Sequence, residues 1–163
     1  MTRLAECLKG ARGEWYVVAQ GALFLLIVFG PRAGAGWPFA AAPYDWLGSI
    51  SGIALIATGG LLSFAGIFGL GRNLTPLPRP KETASLVQSG PYRIVRHPIY
   101  SGLIMVVLGW GMTAHDWLLL VYAVLTLVFF DVKSRREERW LKEKFPEYGD
   151  YQARVRKLIP LVY

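Results

Sequence analysis

The chain has 163 residues, of which 53% are hydrophobic, and its 18 Lys and Arg residues against 11 Asp and Glu residues give a net charge of +7. This length fits one domain, residues 1–163, rather than two independent cores. A mean hydropathy of +0.35 excludes an intrinsically disordered chain. The single cysteine, Cys7, excludes a disulfide scaffold, and one cysteine with two histidines does not supply a His/Cys metal site.

Four stretches without charged residues follow one another along the chain: 15–30, 46–70, 98–114 and 117–130. The second is long enough to cross a hydrocarbon core of about 30 Å, and the others are somewhat short of the roughly 20 residues usually needed. Packed in a small soluble domain, four such stretches would leave almost no polar face. The pattern therefore predicts an all-α, polytopic membrane protein with about four transmembrane helices.

The basic residues predict the orientation of those helices. With four spans, 17 of the 18 Lys and Arg residues lie on one side, in the N-terminal segment, the 71–97 loop and the tail after 130, and Arg32 lies on the other. The positive-inside rule makes the crowded side cytoplasmic, with both termini on it. The positive charge thus indicates membrane topology and not a nucleic-acid partner.

The connections between the spans differ in character. His115 and Asp116 alone separate the third and fourth spans, which predicts a tight helical hairpin. The 71–97 loop carries Pro76, Pro78 and Pro80, which cannot be helical, and a loop of this length is more often functional than a plain linker. Glycines crowd the second span, among them Gly52, Gly59 and Gly66, and small residues there favour close helix packing.

The tail after residue 130 predicts a cytoplasmic, amphipathic helical segment. Its acidic and basic residues are spaced for pairing within a helix. Pro146 and Gly149 predict a break in this helix. In the segment that follows Pro146, one face carries Tyr148, Tyr151, Val155 and Leu158. That pattern is typical of a helix lying at the membrane surface.

The densest cluster of polar groups is GPYRIVRHPIYSG, residues 90–102, where the long loop enters the third span. Ionisable groups at a membrane boundary suggest a functional site. The alternative is a plain helix start, with Pro98 in its first turn, His97 as a cap, and Arg93 and Arg96 as topology charges.

Together with EERWLKEKFPEYGDYQARVRKLIP in the tail, this cluster resembles the isoprenylcysteine carboxyl methyltransferase family, part of a wider group of membrane methyltransferases that includes phospholipid N-methyltransferases. The resemblance covers about 84–160, roughly half of the chain. It implies S-adenosylmethionine-dependent methyl transfer, on the cytoplasmic side, to a membrane-partitioned, lipid-like or prenylated acceptor.

The resemblance also implies roles for particular residues. It implies that His97, Glu137 and Arg135 are catalytic and that Lys133 and Arg135 face the substrate; in the family a basic residue precedes the glutamate by one turn, and here that position is Lys133. The cofactor-binding residues it implies are Ala84, Ser85, Leu86, Val87, Tyr92, His97, Pro98, Ile99, Tyr100 and Glu137, or Glu138 if the register slips by one.

The acceptor stays open at this stage. Arginine binds a carboxylate through two parallel hydrogen bonds and lysine does not. Lys133 therefore leaves a carboxylate acceptor in question. A carboxylate nucleophile needs no base, whereas an amine must lose a proton, to His97 or to a tail glutamate. The alternatives are a phospholipid N-methyltransferase and a non-catalytic membrane scaffold or transporter subunit, in which Glu137 and Glu138 would be surface ion pairs.

Overall fold

A computed structural model describes residues 13–33, 45–159 and 162–163. It contains five α-helices and two short 3₁₀ turns, at Gly71–Asn73 and Gly90–Arg93. The helices are α1 (Glu14–Phe29), α2 (Asp45–Leu70), α3 (Pro98–Thr113), α4 (Trp117–Lys144) and α5 (Tyr148–Arg154). The predicted all-α class is confirmed for these described residues. The N-terminal basic residues Arg3, Lys9 and Arg12 and most of the first loop lie outside them.

Two helices are long and apolar enough to cross a membrane, α2 with the turn that follows it and α4. α1 and α3 are apolar but have only 16 residues each. Large side chains on α2 are exposed, including Leu61 at 71%, Phe64 at 62% and Phe68 at 80%. An apolar surface of this extent is unusual for a soluble monomer and suits contact with lipid. Four spans remain a prediction.

Glycines bring α2 and α3 into backbone contact, as the sequence predicted. A Cβ atom added at Gly52 would lie 2.6 Å from the carbonyl oxygen of Gly109, and one added at Gly59 would lie 2.6 Å from that of Gly102. A Cβ at Gly66 would meet Ile99 at 2.8 Å. These three positions recur every seven residues, which is two helical turns, so they form one smooth stripe along α2.

α3 and α4 form the predicted tight hairpin. His115 adopts a left-handed backbone with φ of 51°, and Asp116 caps α4 by accepting from the backbone N–H of Leu118 at 2.9 Å. The same carboxylate accepts from the N–H of Ala33, 3.3 Å away, so it also ties the end of the first helix to the hairpin. A buried aspartate with these donors is satisfied, which indicates a structural role.

α4 does not end at residue 130, where the uncharged stretch ends; it continues without a break to Lys144. The charged part of the sequence keeps its helical geometry because oppositely charged side chains lie one turn apart. Arg135, for example, bonds Asp131 at 2.7 Å. The first residue that cannot continue the helix is Pro146. One rigid helix therefore joins the apolar bundle to the tail.

The tail folds back onto the helices. The predicted break at Gly149 is wrong, because that residue lies inside α5. The prediction that Tyr148, Tyr151 and Leu158 face the membrane surface is also wrong, since they are only 1%, 3% and 2% exposed. Beyond α5, residues 156–157 pair with the chain just before α3; the N–H of Arg96 donates to the carbonyl of Arg156 at 2.8 Å.

Candidate functional site

A cavity of about 330 Å³ lies beside the turn into α3, between the long loop, α4 and α5. Residues from segments far apart in the sequence line it. α1 contributes Gln20, the end of α2 contributes Leu70, and the proline run contributes Pro76. Ten of the residues implied by the family resemblance line it together: Ala84, Ser85, Leu86, Val87, Tyr92, His97, Ile99, Tyr100, Lys133 and Glu137.

The 3₁₀ turn at Gly90–Arg93 fixes Tyr92 in the wall. Gly90 takes φ of 60°, which glycine adopts without strain. The Tyr92 hydroxyl donates to the carbonyl of Gly66 on α2 at 3.1 Å, and Tyr151 donates to the Tyr92 carbonyl at 2.6 Å. Burial, followed by the nearby charge of Glu137, raises the pKa of Tyr92 well above its usual range, so this phenol stays neutral.

His97 is not used as a helix cap. It occupies the N-cap position of α3, but its side chain makes no capping hydrogen bond. Instead Nε2 lies 3.0 Å from Oε1 of Glu138, and Nδ1 lies 3.8 Å from Oε2 of Glu137. A carboxylate can only accept hydrogen bonds, so we assign the ring proton of His97 to Nε2, which donates to Glu138. Nδ1 then carries no proton and faces Glu137.

The two adjacent glutamates have different surroundings. Glu138 is buried and accepts hydrogen bonds from Arg96 Nε at 2.8 Å, His97 Nε2 at 3.0 Å and Gln152 Nε2 at 2.9 Å. Glu137 faces the cavity, with 26% of its side chain exposed. Its Oε2 accepts from Tyr100 at 2.9 Å. Glu137 is thus the one of the pair that a ligand can reach, and neither is a surface ion pair.

Stacked rings support Tyr100. Its ring is nearly parallel to that of His97, with centroids 5.3 Å apart, and to that of Phe130 on the other side, with centroids 4.4 Å apart. Phe24 of α1 packs edge-on against Phe130 at 6.5 Å. Offset stacking of this kind stabilises a fixed ring orientation. The hydroxyl of Tyr100 is therefore held against Glu137.

Lys133 brings a buried positive charge into the cavity wall. The residue is 2% exposed, and Nζ donates to Oε1 of Gln20 at 2.6 Å and to the carbonyl of Pro76 at 3.1 Å. Nζ also lies 5.2 Å from the ring centroid of Tyr100. An ammonium has three donors, and these two partners are neutral. Among the described residues one donor is left for the cavity, and the charge lies within electrostatic reach of Glu137, one turn further along α4.

Three of the residues that the resemblance implied lie outside the cavity wall: Pro98, Arg135 and Glu138. Pro98 is buried at the start of α3, against Gly66. Arg135 lies on the opposite side of α4, with 65% of its side chain exposed, and pairs with Asp131. Residues two apart on a helix point about 200° apart, so Lys133 and Arg135 cannot both face the same cavity.

The sequence reasoning missed several residues of the site. Arg96 binds Glu138 and the backbone carbonyl of Gln152, and its place in the 90–102 cluster did not indicate these partners. Tyr148 and Tyr151 line the cavity, although they were assigned to the membrane surface. Gln20 lies in an uncharged stretch, and as a lone amide among apolar residues it was the available clue.

The chain is similar to several known proteins. The phospholipid methyltransferase family model matches residues 47–148. Protein-S-isoprenylcysteine O-methyltransferase B of Arabidopsis thaliana is 34% identical over 121 residues, 72% of this chain and 61% of that protein. Methanethiol S-methyltransferase of Pseudomonas deceptionensis is 35% identical over 118 residues, 71% of this chain and 43% of that protein.

A cobalt-zinc-cadmium resistance protein of Cupriavidus metallidurans is 36% identical over 83 residues, 49% of this chain and 38% of that protein. The matched part of the chain spans less than two thirds of the length of each of these relatives. The family match includes the cavity-lining residues of α2, α3 and α4 and the long loop. The resemblance drawn from the two motifs is confirmed: the chain belongs to the phospholipid methyltransferase family, with the isoprenylcysteine O-methyltransferases among its relatives.

Proposed function

We propose that this protein transfers a methyl group from S-adenosylmethionine to a lipid-like acceptor that partitions into the membrane. The observation that carries the proposal is a cavity with a partly free carboxylate, Glu137, and a buried ammonium, Lys133, one turn apart on α4. Such a pair can receive one ligand with a positive group and another with a negative group. The favoured acceptor is a carboxylate of the isoprenylcysteine type.

The residues of the cavity fit the cofactor. The volume of the cavity lies within the roughly 300–1,000 Å³ that is typical of small-molecule sites. Glu137 keeps one oxygen free of protein partners in the described part of the chain and can accept from an ammonium. The rings of Tyr92 and Tyr100 can contact adenine or a sulfonium. The buried hydroxyl of Tyr148 has no hydrogen-bond partner among the described residues.

The chain's own contribution to the reaction is positioning and exclusion of water. When bound, S-adenosylmethionine supplies an electrophilic methyl group on a positively charged sulfur. Glu137 and the tyrosines fix one reactant, and Lys133 orients the other. Holding two reactants in line can supply a large part of a rate enhancement, up to about 7–11 kcal/mol. The apolar walls, such as Ile67, Leu70 and Leu103, keep water away from the reacting atoms.

Lys133 favours a carboxylate acceptor. Among the described residues, the hydrogen-bond acceptors of its ammonium are neutral oxygens. A buried charge is most stable beside an opposite charge. A carboxylate bound there attacks as the anion, so no group of the chain has to remove a proton. The point charge of lysine suffices for a single carboxylate oxygen, without the forked geometry of arginine.

The second candidate is a phospholipid N-methyltransferase. The matched family model bears the phospholipid description, and an amine acceptor would need a base. The hydrogen bond from His97 Nε2 to Glu138 holds Nδ1 of the same ring 3.8 Å from Glu137, and Nδ1 could take that proton. Under this alternative Lys133 would meet the phosphodiester of the phospholipid instead of a carboxylate, so the labelled product, and not a Lys133 variant, distinguishes the two acceptors.

The proposal includes the membrane arrangement. All four apolar helices cross the bilayer, with both termini, the long loop and the tail on the cytoplasmic side. The uneven distribution of Lys and Arg supports this orientation. Single cysteines placed at Glu143 and at Pro31, each in a Cys7→Ser background, and labelled with an impermeant thiol reagent test it: only Glu143→Cys should react from the cytoplasmic side.

Cofactor binding tests the core of the proposal. Purified protein in nanodiscs should bind S-adenosylhomocysteine by calorimetry, and Glu137→Gln should weaken binding by tenfold or more, since a hydrogen bond to a charged group is worth about 1.5–3 kcal/mol. Glu143→Gln, an exposed position on the same helix, is the matched control. A folded wild-type protein that bound no cofactor would instead support a scaffold or transporter subunit.

Label transfer distinguishes the two acceptors. The protein is given cofactor with a labelled methyl group and either a prenylcysteine acid or phosphatidylethanolamine vesicles, and the product that carries label is identified. With the carboxylate acceptor, Lys133→Met should raise KM for the acceptor and Lys133→Arg should retain more activity. Label found only in the phospholipid would establish the alternative.

A further inference from the structure

We propose that the Tyr148 hydroxyl donates a hydrogen bond to the carboxylate of the cofactor's amino-acid group, while Glu137 accepts from the ammonium of the same group. The inference rests on the proposed function and names a binding residue for the same cavity. It assigns a task to the tail, because Tyr148 is the first residue of α5.

Tyr148 differs from the other tyrosines of the cavity wall. The hydroxyls of Tyr92, Tyr100 and Tyr151 donate to Gly66, Glu137 and the Tyr92 carbonyl, respectively. Tyr148 is 1% exposed, and its hydroxyl has no partner among the described residues. A buried donor without a partner destabilises a fold, so native proteins seldom keep one unless something else satisfies it.

The hydroxyl is placed to act as a neutral donor. Burial raises the pKa of Tyr148 far above its usual range, and Glu138 and Glu137 raise it further, while Arg96 opposes them. The phenol therefore keeps its proton at every physiological pH. Tyr148 and Glu137 both line the same cavity.

An α-amino acid group requires this combination of partners. Its ammonium and carboxylate are attached to the same carbon atom, so an acceptor and a donor must lie near each other. Glu137 supplies the acceptor and Tyr148 the donor. The other carboxylate of the pair, Glu138, is paired with the guanidinium of Arg96 and accepts from His97 Nε2, which lessens its repulsion of an anionic group.

The test compares two cofactors by calorimetry on Tyr148→Phe, which removes only the hydroxyl. S-adenosylmethionine carries the carboxylate, and its decarboxylated analogue keeps the ammonium and lacks the carboxylate. We expect Tyr148→Phe to bind S-adenosylmethionine about tenfold or more weakly and to bind the decarboxylated analogue as the wild type does. Glu137→Gln should weaken both ligands.

Thermal unfolding of the unliganded protein gives a second readout. Because the Tyr148 hydroxyl has no partner to lose, Tyr148→Phe should leave Tm unchanged or raise it. Tyr151→Phe is the matched control. It removes a 2.6 Å hydrogen bond to the Tyr92 carbonyl and should lower Tm.

Each other outcome overturns a defined statement. An equal loss of affinity for both ligands would place the hydroxyl on another part of the cofactor. Unchanged affinity for both, with the wild type binding normally, would overturn the inference and leave the proposed function intact. A fall in Tm as large as that of Tyr151→Phe would show that the hydroxyl has a protein partner. A wild-type protein that binds neither ligand would overturn both proposals.

Discussion

Replacing Glu138 by alanine removes one carboxylate that holds together three segments of the chain. Its oxygens accept from Arg96 before α3, from His97 at the start of α3 and from Gln152 on α5, at 2.8–3.0 Å. The side chains of Arg96 and Glu138 are each 8% exposed. Removing one partner of a buried ion pair costs about 3–5 kcal/mol, because the other charge stays buried and unpaired.

We therefore expect Glu138→Ala to lower the free energy of unfolding by about 3–5 kcal/mol. For a chain of this size each kcal/mol moves Tm by roughly 2–4 °C, so the unfolding midpoint should fall by roughly 6–20 °C. The assay is thermal unfolding in nanodiscs, followed by tryptophan fluorescence. Glu137→Ala is the matched control: among the described residues its carboxylate accepts one hydrogen bond, from Tyr100, and its loss should cost about 1.5–3 kcal/mol.

The double variant Arg96→Met, Glu138→Leu extends the same reasoning. Replacing both charges with apolar side chains removes the unpaired guanidinium, so most of the lost stability should return. His97 and Gln152 lose a partner in either case, which limits the recovery. Equal falls in Tm for the two glutamate variants, or no recovery in the double variant, would refute the assignment of Glu138 to the fold and Glu137 to the ligand.

Three further predictions concern other parts of the molecule. Gly59→Leu should abolish stable folding, because even a Cβ there would lie 2.6 Å from the Gly102 carbonyl, whereas Gly60→Ala, with nothing within 4 Å, should be tolerated; size-exclusion profiles separate the two. Arg135→Ala should leave both the cofactor affinity measured by calorimetry and Tm nearly unchanged, since 65% of the Arg135 side chain is exposed. A tenfold loss of affinity would return Arg135 to the site. Burial raises the pKa of Tyr151 from 10.0 to about 12. The contribution of its protonated form to stability should therefore be complete below pH 10 and be lost between pH 10 and 12. Phenolate absorbance and Tm measured across that range test this prediction, and full ionisation of Tyr151 near pH 10 would contradict it.

The helices could be predicted from the sequence because uncharged stretches and their ends determine them directly. The predicted 98–114 and 117–130 segments begin at the same residues as α3 and α4, where Pro98 and Asp116 stand at the first turn and the cap. The end of α4 could not be predicted in the same way. The charged residues after 130 predict a helix by their spacing, but that spacing does not indicate whether the helix is separate or continues α4 as far as Pro146.

The site could be predicted as a set of residues but not as a set of directions. Glu137 and Glu138 are chemically identical neighbours, and on a helix they point about 100° apart. Which one meets the cavity depends on the rotation of α4, and that rotation is set by contacts with α3 and α5 that the sequence does not display. Tyr148 illustrates the same limit: aromatic and basic residues at this spacing suit a membrane surface as well as a protein interior.

The continuity of α4 arranges the proposed reactants by depth. Phe130, Lys133 and Glu137 recur at intervals of three and four residues, so they lie on one face of one helix. With a rise of about 1.5 Å per residue, Lys133 lies about 6 Å closer to the apolar half of the helix than Glu137 does. An acceptor arriving from the bilayer would meet Lys133 first, and a charged cofactor arriving from water would meet Glu137 first. A break near residue 130 would separate both levels from the apolar part of α4, whereas the unbroken helix keeps Lys133 and Glu137 at fixed depths relative to the bundle.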